Sequence, residues 1–268
     1  MHSVAERIQN INMKKYLICV DSDGTAMDTM TIKHQRCFGP LIITTWGLDN
    51  YKNEILKRWD EINLFSSLRG INRFSGLKIM LKEINEKYTK IEDLESYCSW
   101  CDKTNVFSHS ELENYYKQNP SPCIKKVLDW SKEVNLKIKK LKPEDKKSFD
   151  GAKEVLEYVF NYADVAIVSS ANKKAVIEEW ERCELLPFTT LCMTQEEGTK
   201  TECIKKLLEM GYENDKVLML GDSIEDLKAA DSNDILYFAI RPKEEVESWQ
   251  DFKNKVFPLF LKGKYSHK

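Results

Sequence analysis

At 268 residues with 42% hydrophobic content, the chain is long enough for one large domain carrying an insertion, or for two domains. Its 41 Lys plus Arg against 43 Asp plus Glu give a net charge of −2, which excludes the global basic field of a nucleic-acid binder. No stretch approaches the ~20 apolar residues of a membrane helix, and Met1 to Lys15 has no signal-peptide core, so a cytoplasmic protein without a membrane partner is expected.

Met13-Lys14-Lys15 offers an alternative start, with Met1 to Asn12 as an extension. The first strand is the apolar run Tyr16 to Val20, which passes directly into Asp21-Ser22-Asp23-Gly24-Thr25. A buried strand ending in two carboxylates and a glycine turn delivers a nucleophile, an acid and metal donors to the rim of a sheet. Asp28 follows, as a further acid or as a helix cap. Residues 30–149 then show helical periodicity at Glu54 to Trp59, Leu77 to Tyr88, Glu92 to Cys101, Glu111 to Gln118 and Ile124 to Val134. Trp46, Trp59 and Trp100 are expected in the core of this insert, and the lysines from Lys125 to Lys140 on a solvated face beside Asp129 and Glu133. The eight cysteines suit a reducing compartment. Cys98 and Cys101 alone stand at metal-ligand spacing, and without a matching pair they are expected to pack rather than bind zinc.

From Asp150 onward helix and strand alternate, the pattern of a parallel α/β sheet. A helix from Gly151 to Asn161 precedes the strand Val165 to Val168, and a helix from Lys173 to Cys183 precedes a short strand near Thr190 to Met193. Thr199 and Glu202 form a capping box for the next helix, which stops at Gly211. The strand Val217 to Leu220, a helix capped by Ser223 and the strand Ile235 to Ile240 complete the series. The segment Trp249 to Leu261 is left to pack on its own sheet or on another subunit, so oligomeric state stays open. The fold class is therefore α/β, a Rossmann-like doubly wound parallel sheet of about five strands with an inserted all-helical cap. Residues 1–29 and 150–268 form the catalytic core and residues 30–149 the cap, which lies over the carboxyl edge of the sheet where such folds bind ligands.

Four strand ends carry polar residues of one kind: Asp21 and Asp23, then Ser169, then Lys200 at a helix start, then Asp222 with Asp226 four residues on. Carboxylate oxygens suit a hard cation, while a hydroxyl, helix N-termini and a lysine suit phosphate oxygens.

DSDGT on the first strand, Ser169, Lys200 and the GDSIED segment resemble the four motifs of the haloacid dehalogenase-like phosphohydrolase superfamily, in order. The resemblance implies Asp21 as the nucleophile and Asp23 as general acid and base. It also implies Mg²⁺ held by Asp21, the backbone carbonyl of Asp23 and Asp222. Asp226 then stands behind the metal site, and Ser169 and Lys200 hold the phosphoryl oxygens. A free Asp titrates near 3.9, so Asp21 is expected ionised, and Asp23, beside a second carboxylate, is expected raised toward holding a proton. Family members that cleave carbon–halogen bonds lack an acid at the second Asp and phosphonate-cleaving ones carry Ala there, so Asp23 favours phosphate esters.

Leu68-Arg69-Gly70-Ile71-Asn72-Arg73 is similar to the substrate loop of helical caps in phosphoglycolate phosphatase-like and β-phosphoglucomutase-like members, which offers Arg69 and Arg73 as substrate contacts. The expected activity is a Mg²⁺-dependent phosphatase of a small phosphorylated metabolite, acting through an aspartyl-phosphate. A phosphomutase with the same motifs and a catalytically silent phosphate-binding protein are the alternatives. A phosphorelay receiver fits less well, because it places its acceptor on a middle strand and has no cap of this size.

Overall fold

The computed structural model describes residues 13–104 and 106–266, so the expectation for Met1 to Asn12 lies outside the described residues. Strand β1 (Tyr16–Val20) is the middle of a five-stranded sheet. Around it stand β4 (Ala163–Val168), β5 (Leu191–Met193), β6 (Val217–Gly221) and β7 (Leu236–Ala239), in the order β5-β4-β1-β6-β7 with every pairing parallel. Successive side chains of a strand point to opposite faces, and each face of β1 meets its own layer. Ile18 and Val20 join Val165, Ile167, Leu218 and Leu220 under one group of helices, while Leu17 and Cys19 join Val168 and Met219 under another. A strand buried on both faces reads as a continuous apolar run, which is why Tyr16 to Val20 shows no alternation.

The first layer is built from α8 (Ala152–Phe160), α9 (Lys173–Arg182), α12 (Glu245–Asp251) and α13 (Phe257–Leu261). The segment left open in the sequence packs on its own sheet: Trp249, Phe252, Phe257 and Phe260 are buried there, and Trp249 Nε1 donates to the Thr25 carbonyl at 3.0 Å. The second layer is α10 (Lys200–Glu209) and α11 (Ile224–Ser232). Both expected N-terminal caps form: Thr199 with Glu202, and Ser223 with Asp226, each as a reciprocal capping box.

The chain leaves the sheet through β2 (Met27–Asp28) and returns through β3 (Lys147–Ser148), which pair antiparallel, Met27 opposite Ser148. Between them lie α1 (Met30–Lys33), a π-type turn (His34–Phe38), α2 (Gly39–Trp46), α3 (Lys52–Asp60), α4 (Arg73–Lys87), α5 (Leu94–Lys103), α6 (His109–Gln118) and α7 (Pro122–Lys139). Their buried side chains form a separate cluster that includes Trp46, Trp59 and Trp100. The helices over residues 30–46 are an addition to the sequence reading. The π turn widens the helix there and Lys33 and His34 fall on the buried stripe, so no clean apolar spacing marks the segment. The lysine run is exposed where expected, with Lys125 paired to Asp129 one turn on. No helix of the described residues is long and apolar enough to cross a membrane.

Candidate active site

The parallel order brings the carboxyl ends of β1, β4, β5 and β6 to one edge. Asp21 follows β1 at once, its N–H donating to the Leu220 carbonyl at 3.0 Å, so its side chain starts from the sheet itself. The chain then turns tightly: the N–H groups of Ala26 and Met27 donate to the Ser22 carbonyl, and Gly24 adopts φ +91°. A side chain at Gly24 would come within 2.3 Å of Asp222 Oδ2, so this glycine is needed for space as well as for its backbone. Trp180 from α9 closes the turn from below, its Nε1 donating to Ser22 Oγ at 2.9 Å.

Lys200, the first residue of α10, lies between two acids, its Nζ 2.9 Å from Asp21 Oδ1 and 2.6 Å from Asp226 Oδ1. The other oxygen of Asp226 accepts from the N–H and hydroxyl of Ser223 at 3.1 and 2.6 Å. Asp226 therefore has both oxygens engaged by protein. Thr25 Oγ1 stands 3.2 Å from Asp222 Oδ1 and 3.5 Å from Asp21 Oδ2, between those two acids. Ser169 follows β4 and lines the same cavity as Asp21, Asp23 and Lys200. Its hydroxyl accepts from the Ala171 N–H at 3.2 Å, which orients it at the start of the loop leading to α9.

Among the described residues, Asp21, Asp222 and Asp226 each offer an oxygen within 4.8 Å of the others, the one such acidic, His or Cys group. Oxygen-only donors suit Mg²⁺, and with Asp226 committed to Lys200 and Ser223 the oxygens of Asp21 and Asp222 on the Thr25 side are the ones that fit a cation. All eight cysteines are free.

At both catalytic-motif acids the surroundings act in the direction opposite to the sequence expectation. Burial pushes the Asp21 carboxyl well above the usual range against the pull of Lys200, and neighbouring Asp226 and Asp222 add to the rise. For Asp23, burial acts upward but is outweighed by Lys33, with Thr29 assisting, so its carboxyl is held below the usual range. Lys33 Nζ lies 2.7 Å from Asp23 Oδ1 and 3.0 Å from Glu179 Oε2, and Thr29 Oγ1 donates to the same Asp23 oxygen. Neither Lys33 nor Glu179 was singled out from sequence. The available signal was a charge on an apolar stripe, since Val176, Glu179 and Trp180 share the buried face of α9.

Lys33 and Glu179 are buried and Asp23 half-buried, an arrangement that supports a stability prediction. Lys33→Met leaves Asp23 and Glu179 without their shared cation and is expected to destabilise the fold by ~3–5 kcal/mol in denaturant unfolding. Lys33→Met combined with Glu179→Gln is expected to recover part of that loss; equal losses for the single and double variants would contradict the pairing.

The two arginines of the 68–73 loop part company. Arg73 lines the cavity, its guanidinium 4.9 Å over the Phe38 ring and its Nη1 donating to Asn135 Oδ1 at 2.7 Å. Burial draws its pKa down to about 10, with only Asp23 acting against the fall. Arg69 instead binds Asp222. The cavity has a volume of about 310 Å³, within the range of small-molecule sites. Two further groups missed in sequence line it. Lys139 belongs to the lysine run placed on a solvated face. His34, stacked on Phe38 at 4.7 Å, is held neutral by burial, which draws its pKa down to about 3.

A family model described as haloacid dehalogenase-like hydrolase matches residues 92–240, more than half of the chain. The chain belongs to the haloacid dehalogenase-like hydrolase family. The matched span contains Ser169, Lys200, Asp222 and Asp226 and begins downstream of the Asp21 turn, which β1 nevertheless carries into place between β4 and β6, both inside the span.

Solved structures agree on the fold of this hydrolase. A protein from Haemophilus somnus 129PT described as a predicted phosphoglycolate phosphatase is 13% identical with a TM-score of 0.54, over 86% of each chain. One from Thermotoga maritima described as a β-phosphoglucomutase is 16% identical with a TM-score of 0.52, over 88% of this chain and 99% of its own. A haloacid dehalogenase-like family hydrolase from Xanthomonas campestris is 11% identical with a TM-score of 0.52, over 94% of each. Among curated proteins no sequence matches significantly.

Proposed function

We propose that this hydrolase is a Mg²⁺-dependent phosphatase that cleaves a small-molecule phosphomonoester through an aspartyl-phosphate on Asp21. One observation carries the reading: Asp21 stands at a strand end with Lys200 2.9 Å away and lines a cavity of about 310 Å³ together with Lys200, Lys33, Arg73 and Lys139.

In this reading an Asp21 oxygen attacks phosphorus and the ester oxygen leaves with its electron pair, taking a proton from Asp23. Asp23 then accepts a proton from water as the water oxygen attacks phosphorus, which releases phosphate and restores the Asp21 carboxylate. The contact with Lys33 favours the ionised Asp23 of the second step, and entry of the phosphoryl dianion beside it raises Asp23 toward the protonated form of the first. Lys200 and Ser169 hold phosphoryl oxygens, and Arg73 meets the leaving group. Asp21, Asp222 and the Asp23 carbonyl would hold Mg²⁺, with Asp226 behind them, and the ion would supply Lewis acidity at the phosphoryl group. Residues 30–149 act as a cap domain over a core of residues 1–29 and 150–268, joined at the β2–β3 pair. Eight free cysteines accord with action in the cytoplasm on a soluble metabolite.

The full chain with Mg²⁺ is expected to release phosphate from members of a panel of phosphorylated metabolites or from an aryl phosphate. A chelator abolishes the release and added Mg²⁺ restores it. No release from any compound sinks the reading, and isomerised sugar phosphate without free phosphate would favour a mutase.

A further inference from the structure

Arg69 lies between the turn that ends at Phe65 and the start of α4, and its side chain crosses from the helical insert to the sheet edge. Its Nε donates to Asp222 Oδ2 at 2.6 Å and its Nη1 to the Leu64 carbonyl at 3.1 Å, with the two side chains 11% and 1% exposed. Two glycines permit the approach. At Gly70, φ +76°, an added Cβ would come within 2.9 Å of the Ser223 Cβ, and at Gly24 it would strike Asp222 Oδ2 and lie 3.1 Å from Arg69 Nη2. The loop is therefore seated directly on the segment that carries Asp222.

The oxygens of the two ligand-type acids are divided in the same way. Lys200 holds Oδ1 of Asp21 and Arg69 holds Oδ2 of Asp222, while the remaining oxygen of each faces the Thr25 hydroxyl. We propose that Arg69 is a positioning residue for the metal-ligand carboxylate: the cap loop grips the back oxygen of Asp222, so that loop seating and divalent-cation binding support each other. The inference rests on the metal-dependent reading above. A carboxylate held on one oxygen presents the other in a fixed direction, and losing such an outer partner typically lowers metal affinity 10–100-fold. Repulsion between guanidinium and cation is tempered because the two take different oxygens of Asp222, with Asp21 and Asp226 close by. By linkage, a cation that favours the gripped Asp222 must equally favour the seated loop.

The test uses the full chain and Mg²⁺ alone, without substrate. Calorimetry is expected to show Arg69→Ala binding Mg²⁺ ~10–100-fold more weakly than wild type, and Arg69→Gln, which keeps a donor, losing less. Mg²⁺ is expected to slow amide hydrogen exchange over residues 66–72 in wild type and to have little effect there in Arg69→Ala. Thermal melts establish that each variant is folded, and Arg69→Gln carries the comparison if Arg69→Ala is not. Equal or tighter Mg²⁺ binding in the folded variants, or exchange in wild type indifferent to Mg²⁺, overturns the inference alone. A wild type that binds no Mg²⁺ overturns the metal-dependent reading and this inference with it.

Discussion

Asp21→Asn is expected to lower phosphate release by at least ~10⁴-fold while leaving the melting temperature close to that of wild type. Asn has the shape of Asp but cannot supply the attacking carboxylate oxygen, and removing a nucleophile from a group that acts as a unit typically loses 10⁴-fold or more. The fold should tolerate the change, because Asn at this position keeps its backbone bond to Leu220 and still accepts from Lys200 through its carbonyl. Relief of crowding also acts in its favour, since Asp226 and Asp222 both oppose the charge on Asp21. Phosphate assays and thermal melts on the same preparations separate the two effects. Residual activity within tenfold of wild type would exclude Asp21 from the nucleophilic role.

Lys200→Met is expected to impair both stability and activity. Lys200 is 8% exposed and pairs with both Asp21 and Asp226, so its removal leaves two buried carboxylates facing each other. Breaking a buried charge pair from one side typically costs about 3–5 kcal/mol. Loss of a positioned cation at a site of developing negative charge typically lowers kcat by ~10²–10³. Denaturant unfolding and kcat measured on one preparation check both figures. A variant within about 1 kcal/mol of wild type and fully active would show that Lys200 neither neutralises the acids nor meets the phosphoryl group.

Much of the core was legible because its signals are local. The capping boxes at Thr199 with Glu202 and at Ser223 with Asp226 each span three residues, and the strands are short apolar runs bounded by turn residues. The four strand ends could be assembled from sequence because parallel strands deliver their carboxyl ends to one edge. What sequence did not yield depends on partners far along the chain. The contact of Arg69 with Asp222 could not be read because the two stand 153 residues apart. Asp23 was expected to hold a proton because its immediate neighbours are acids. Lys33, ten residues on and turned back by the β2 turn, reverses that environment. Glu179 is a charge on the buried stripe of its helix, and its meaning emerges only when Lys33 arrives from the other side. The helices over residues 30–46 were unread for a related reason: buried Lys33 and His34 interrupt the apolar spacing by which a helix is recognised.

Passage of the phosphoryl group through Asp21 is tested most directly by mass spectrometry of enzyme quenched during turnover with Mg²⁺ and a substrate from the panel. The expected result is one added phosphoryl group on the peptide carrying Asp21, absent from Asp21→Asn and absent without substrate. Turnover with that peptide unmodified at every quench time, and in particular a phosphoryl group found on another residue, would contradict the account.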